Sequence, residues 1–209
     1  MRDLLAGVES FQRDIYPQKR DLFSKLDGGQ SPRTLFITCS DSRIVPNLIT
    51  NTDPGEIFVL RNAGNLVPPH DQGRGEAATI EYAVQVLKVK DIVVCGHARC
   101  GAMAALLDPH SCDSLPAVGE WIAPARKMID ELRERHGDVA DAELLNLAIG
   151  ENVVRQLESL KTHPSVHQAL ETNAVELHGW IYSIATGGIE VYDPQQKSFV
   201  APDTGTRTV

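Results

Sequence analysis

No stretch of this 209-residue chain is long and apolar enough to span a bilayer. The first segment, Met1-Arg2-Asp3-Leu4-Leu5-Ala6-Gly7-Val8-Glu9, is broken by acids where a secretory signal would run apolar. The expected setting is therefore cytoplasmic. Positive charge is also short: the formal net charge is −8, which argues against nucleic acid or an anionic membrane as a partner. Only four cysteines are present, too few for a disulfide scaffold in a chain of this size. In a reducing compartment such residues are metal-binding, catalytic or buried. No internal repeat and no low-complexity linker interrupts the sequence. With 42% hydrophobic and 23% charged residues the composition is that of an ordinary globular chain. The length favours one domain over residues 1–209, with a helical arm over 1–26 and a mobile polar tail over 203–209.

What is present is a sharp strand-to-turn signal. Asp91-Ile92-Val93-Val94-Cys95-Gly96-His97 is a β-branched, apolar run, and the turn Ala98-Arg99-Cys100-Gly101 places a cysteine three residues after the histidine. An imidazole and a thiolate at that spacing suit one zinc ion. A second strand end, Thr34-Leu35-Phe36-Ile37-Thr38-Cys39-Ser40-Asp41-Ser42-Arg43, offers Cys39 as a third ligand and Asp41 as a possible fourth. Strands are expected over 33–38, 56–60, 91–97, 175–182 and 189–192. Helices are expected over 2–25, interrupted near Pro17, and over 75–88, 101–107, 116–136 and 141–160, with a helical turn at 46–49 and a short helix from His163. The stripe Leu4, Leu5, Val8, Phe11 and Ile15 of the first helix requires an apolar partner. Leu144, Leu147, Ala148, Val153, Val154 and Leu157 are expected to face inward from the last long helix. Strand, crossover helix, strand implies a parallel sheet with the carboxyl ends of its strands on one edge, where open α/β sheets bind ligands. Cys95 is assigned to the core, and Cys112, in a polar loop, to no role.

Cys39-Ser40-Asp41-Ser42-Arg43, Arg61-Asn62-Ala63-Gly64-Asn65, Glu81-Tyr82-Ala83-Val84 and Cys95 to Gly101 together resemble the β-class carbonic anhydrases in order and spacing, from about Gln30 to Trp180. The resemblance implies an α/β fold with a mainly parallel central sheet and flanking helices, a C-terminal strand extension at the sheet edge, and an N-terminal helix packing on a partner subunit. It implies Zn2+ on Cys39, His97 and Cys100, with water at the fourth position, and hydration of carbon dioxide to bicarbonate. It also implies an Asp41–Arg43 salt bridge beside the metal, with Asp41 a fourth ligand in a closed state. Gln30 matches a glutamine that donates to substrate from a neighbouring subunit, and Phe58 and Tyr82 match aromatic pocket positions. The Gly101 amide is expected to point into the same pocket. Tyr82 and His70 are the candidates for a proton relay. A homodimer or a higher even-numbered homo-oligomer is implied. Two alternatives stay open on sequence: a same-fold zinc hydrolase of another small molecule such as carbon disulfide, and a non-catalytic protein with a closed structural zinc site.

Overall fold

The computed structural model describes residues 1–202, so the expected mobile tail over 203–209 lies outside the described residues. The chain divides into two compact units, Met1–Ser31 and Pro32–Val209. In the first, α1 (Arg2–Ser10) runs into a π-helical turn (Phe11–Ile15), a 3-10 turn (Tyr16–Lys19) and α2 (Arg20–Asp27). Pro17 forces the break, because it has no N–H for the ladder and its ring crowds the preceding turn. Phe11, Tyr16 and Phe23 cluster inside this unit, with ring centroids 5.2–6.1 Å apart. Leu4, Leu5, Val8 and Ile15 lie exposed. The expected arm over 1–26 falls within this unit.

The second unit is built on six strands: β1 (Thr34–Cys39), β2 (Ile57–Asn62), β3 (Asp91–His97), β4 (Glu176–Tyr182), β5 (Ile189–Asp193) and β6 (Ser198–Val200). Their order is β2-β1-β3-β4-β5-β6. The pairs β1–β2, β1–β3 and β3–β4 are parallel, whereas β4–β5 and β5–β6 are antiparallel and extend the sheet at one edge. β3 lies third in that order and is buried from Ile92 to His97, as a parallel strand covered on both faces must be, which accounts for its unbroken apolar sequence. Between β2 and β3 the chain passes through α4 (Arg74–Glu81) and a π-helical turn (Tyr82–Val86) to the other side of β1. The strand order therefore reverses between β1 and β3, and a crevice opens at their carboxyl ends.

One face of the sheet carries Leu35, Ile37, Ile92 and Val94 in a core shared with Val153, Leu157 and Leu160 of α8 (Asp141–Leu160) and with Val166 and Ala169 of α9 (Pro164–Glu171). A second core lies beneath the crevice. It joins Met103 and Leu106 of α5 (Gly101–Leu107), Ile122 of α6 (Pro116–Ile122), Met128, Ile129 and Leu132 of α7 (Arg126–His136), and Leu144 and Ile149 of α8. The opposite face carries Phe36, Val93 and Cys95, with Phe36 edge-on to Trp180 at 5.8 Å.

Three expectations are corrected here. The single helix over 116–136 is two helices, because Pro124 imposes a 3-10 turn between them. β6 was not foreseen; its three residues are too few for a period to show. Cys112 lies in a polar loop but is buried in the second core, so it does have a packing role.

Candidate metal centre

β1 ends at Cys39, whose strand partner is Asn62 of β2, and Thr38 pairs with Cys95 of β3. His97, two residues beyond Cys95, thus emerges beside Cys39 at the reversal of strand order. Arg99 adopts a left-handed conformation (φ 56°), and that turn brings Cys100 back to the start of α5. Cys39 Sγ, Cys100 Sγ and a ring nitrogen of His97 all lie within 4.8 Å of one another, and all three residues are buried. The cysteines are free thiols. The Cys39 thiol is held well below its usual range, first by a hydrogen bond from Cys100, against the opposing effect of burial, and further by the backbone N–H groups of Gly64 and Asp41. Cys100 is pushed up by the charge beside it and by burial. Two thiols this close share one negative charge unless a cation joins them.

The histidine is set for that cation. Its Nδ1 lies 3.0 Å from the Ala98 carbonyl, so Nδ1–H donates there and Nε2 keeps its lone pair. Nε2 is fully buried and has no hydrogen-bond partner. An orphaned buried acceptor facing two thiols is the signature of a metal ligand.

Around these three candidate ligands stand two arginines. Arg43 donates from Nε to Asp41 Oδ1 (2.9 Å), from Nη2 to Oδ2 (2.7 Å), and from its backbone N–H to Oδ1 (3.0 Å). That bidentate grip holds the Asp41 carboxyl far below the usual carboxylate range. Asp41 Oδ2 lies 3.9 Å from His97 Nε2, next to the ligand set while bonded to Arg43. Arg61 donates to the backbone carbonyls of Cys39 (3.1 Å) and Asp41 (2.8 Å), fixing the loop that carries both.

The remaining expected residues fall into two groups. Gly101 opens α5, and a Cβ there would meet nothing within 4 Å, so it borders open space directly after Cys100. Phe58 and Tyr82 form a tilted ring pair at 6.0 Å, with Tyr82 44% exposed. Phe58 pairs with Leu35, four positions before the Cys39 end of the sheet, so the structure does not bring this pair to the ligands within one chain. Gln30 is exposed in the first unit. His70 stands edge-on to His163 at 5.7 Å.

Sequence reasoning missed the supports behind Cys39. Asn152 and Gln156 are buried on α8 among its apolar residues, and Trp121 donates to Ala63 O at 2.8 Å. The available signal was two amides four residues apart inside an apolar helix stripe.

A second cluster, Asp91, Glu176 and His178, also brings its ligand-type atoms within 4.8 Å at the opposite edge of the sheet. Asp91 is already paired through Oδ2 with Arg33 (2.9 Å) and through Oδ1 with His178 (3.1 Å). A guanidinium on the central carboxylate opposes a metal cation, so these residues form an ion-pair network linking the strand starts.

Comparison with known proteins agrees with this geometry. The family described as "Carbonic anhydrase" matches residues 34–189. A carbonic anhydrase of Pseudomonas aeruginosa is 46% identical over 202 residues, spanning 96% of this chain and 91% of that protein. The solved β-carbonic anhydrase CcaA superposes with a TM-score of 0.92 at 41% identity, over 97% of this chain and 99% of its own. A tetrameric β-carbonic anhydrase of Sordaria macrospora gives 0.78 at 31% identity, over 91% and 95% of the two chains.

Proposed function

The chain belongs to the β-carbonic anhydrase family, and from that membership we propose that Cys39, His97 and Cys100 hold one zinc ion for the reversible hydration of carbon dioxide to bicarbonate and a proton. The observation that carries the assignment is the buried, unpartnered Nε2 of His97 between two thiols. Two thiolates and an imidazole suit zinc. When bound, the ion supplies the Lewis acidity that makes water a nucleophile at neutral pH, carbonic anhydrase being the standard example of that effect.

The chain's own residues do the rest. Arg43 engages both oxygens of Asp41, which favours the carboxylate as a hydrogen-bond acceptor beside the ligands over its use as a fourth ligand. As an acceptor Asp41 orients the attacking water, leaving a lone pair for the substrate carbon. The closed structural alternative is not favoured, because it requires Asp41 to leave a partner that engages both its oxygens. Gly101 keeps the approach open, having no side chain where α5 starts. Gln30, Phe58 and Tyr82 serve substrate binding across a subunit boundary in an even-numbered homo-oligomer. The exposed apolar stripe of α1 supports such assembly. No described helix is long and apolar enough to cross a membrane. A reducing, cytoplasmic setting fits four free cysteines, two of them ligands.

The test combines metal analysis with exchange of labelled oxygen between carbon dioxide and water. One zinc per chain and rapid exchange are expected in the native protein, with both lost together in His97→Ala. Full zinc occupancy in that variant would overturn the ligand assignment.

A further inference from the structure

The loop Ala63-Gly64-Asn65 carries two consecutive left-handed residues, Gly64 (φ 79°) and Asn65 (φ 48°). At Gly64 only glycine fits, since a Cβ would sit 3.1 Å from both Ala102 Cβ and Met103 Cε in addition to the backbone penalty. This conformation points the Gly64 N–H at Cys39 Sγ, 3.4 Å away. The loop is tied at its ends by Asn62, which donates from Nδ2 to Leu66 O at 2.7 Å and accepts from the Leu66 N–H at Oδ1 at 2.8 Å. Its carbonyls are taken from outside: Trp121 Nε1 donates to Ala63 O at 2.8 Å, and Asn152 Nδ2 donates to Gly64 O at 3.0 Å. Asn152 is in turn fixed by Gln156, whose Nε2 donates to Asn152 Oδ1 at 2.9 Å while its Oε1 accepts from Val67 N–H at 2.7 Å. Ser159 donates to Val67 O at 2.5 Å. Residues 152, 156 and 159 of α8 lie on one helix face, so a polar seam runs from that helix to the loop touching Cys39.

Burying two amides in an apolar helix face is costly unless every donor and acceptor is used. Here the expense goes into a loop that sets the Gly64 N–H on the Cys39 sulfur. We propose that Asn152, braced by Gln156 and assisted by Trp121, is a positioning residue for the metal centre, holding the Gly64 N–H on the Cys39 sulfur. The inference rests on Cys39 being a metal ligand. A hydrogen bond to the sulfur draws off thiolate charge and lessens its donation to the ion, so the bound cation remains a stronger Lewis acid. Partners of this kind orient ligands and tune the metal, and losing one typically costs about 10- to 100-fold in affinity or activity.

Two variants test the proposal: Asn152→Leu, which keeps the branched outline of the side chain and removes both its donor and its acceptor, and Trp121→Phe, which keeps a ring at a partly buried position against the second core. Each is loaded with cobalt(II) in place of zinc, and its thiolate-to-cobalt charge-transfer band is compared with that of the native protein. Hydrogen exchange at the Gly64 amide is read on the metal-free proteins. Expected are a band shifted to lower energy and faster exchange at Gly64 in Asn152→Leu, with smaller changes of the same sign in Trp121→Phe. If Asn152→Leu does not fold, the Trp121→Phe shift decides alone. An unchanged band and unchanged Gly64 protection in a folded variant overturn the proposal, whatever happens to turnover. A native protein that gives no thiolate band at all instead overturns the ligand assignment on which it rests.

Discussion

Arg43 meets Asp41 with three donors, and this one side chain determines whether the carboxylate faces solvent or the ligands. In Arg43→Ala the carboxylate keeps only the backbone N–H of residue 43 on Oδ1, and Oδ2, freed beside the ligand set, has a bound cation as the best partner within reach. The expected outcome is full zinc content with Asp41 as an oxygen ligand and turnover reduced by roughly 10- to 100-fold. X-ray absorption at the zinc edge would register the added protein oxygen; an unchanged coordination sphere with near-normal turnover would refute this. At this scale the grouping of the candidate side chains was legible in the sequence, since the structure brings Cys39, His97 and Cys100 together and pairs Asp41 with Arg43. Cys39, Asp41, Arg43, His97 and Cys100 declare themselves by residue type and by their place at strand ends. Asn152, Gln156 and Trp121 do not, since an amide on a helix becomes informative only when the loop it touches is known. Gly64 could be quoted as part of a pattern, but its left-handed backbone and its contact with sulfur are tertiary facts.

Among the elements, α8 decides how closely the sheet can be covered. Val153 lies directly over two glycines: a Cβ on Gly96 of β3 would be 2.8 Å from its Cγ2, and one on Gly179 of β4 would be 2.9 Å from its Cγ1. Adding a methyl at either place must push the helix off the sheet, at a cost of roughly 1–3 kcal/mol for overpacking. Both Gly96→Ala and Gly179→Ala should therefore lower the urea midpoint. Only Gly96→Ala should also weaken zinc binding in a chelator competition, because its neighbour in the chain is His97. Two stable variants of unchanged affinity would mean that α8 has slack. Elements with strong periodicity, such as β3 and α8, were readable to the residue at their ends. The division of residues 116–136 by Pro124 and the three-residue β6 were not, because a proline inside an amphipathic pattern can kink or break it, and a strand so short carries no pattern.

For the whole molecule, the stripe on α1 sets the first expectation. Leu4 is 73% and Leu5 56% exposed, more apolar surface than a short helix leaves in water without a partner. Leu5→Glu combined with Val8→Glu should shift sedimentation toward smaller species than the native protein gives; identical profiles for the two proteins would argue that this stripe is not an interface. The sheet order carries a different consequence, for how the protein reaches its native state. Strand β3 must find β4 with partners such as Asp91 and His178 standing 87 positions apart, while Cys39 and the Cys95–Cys100 turn meet only once β1 and β3 are in register. Such distant pairings bring a large loop-closure entropy before any contact rewards them, so refolding should be slow and its intermediates should expose an unpaired apolar strand beside free thiols. A metal held by Cys39 of β1 and by the turn after β3 would act on the folding equilibrium as a cross-link between remote parts of the chain, so that the docking of β1 on β3 would respond to metal concentration.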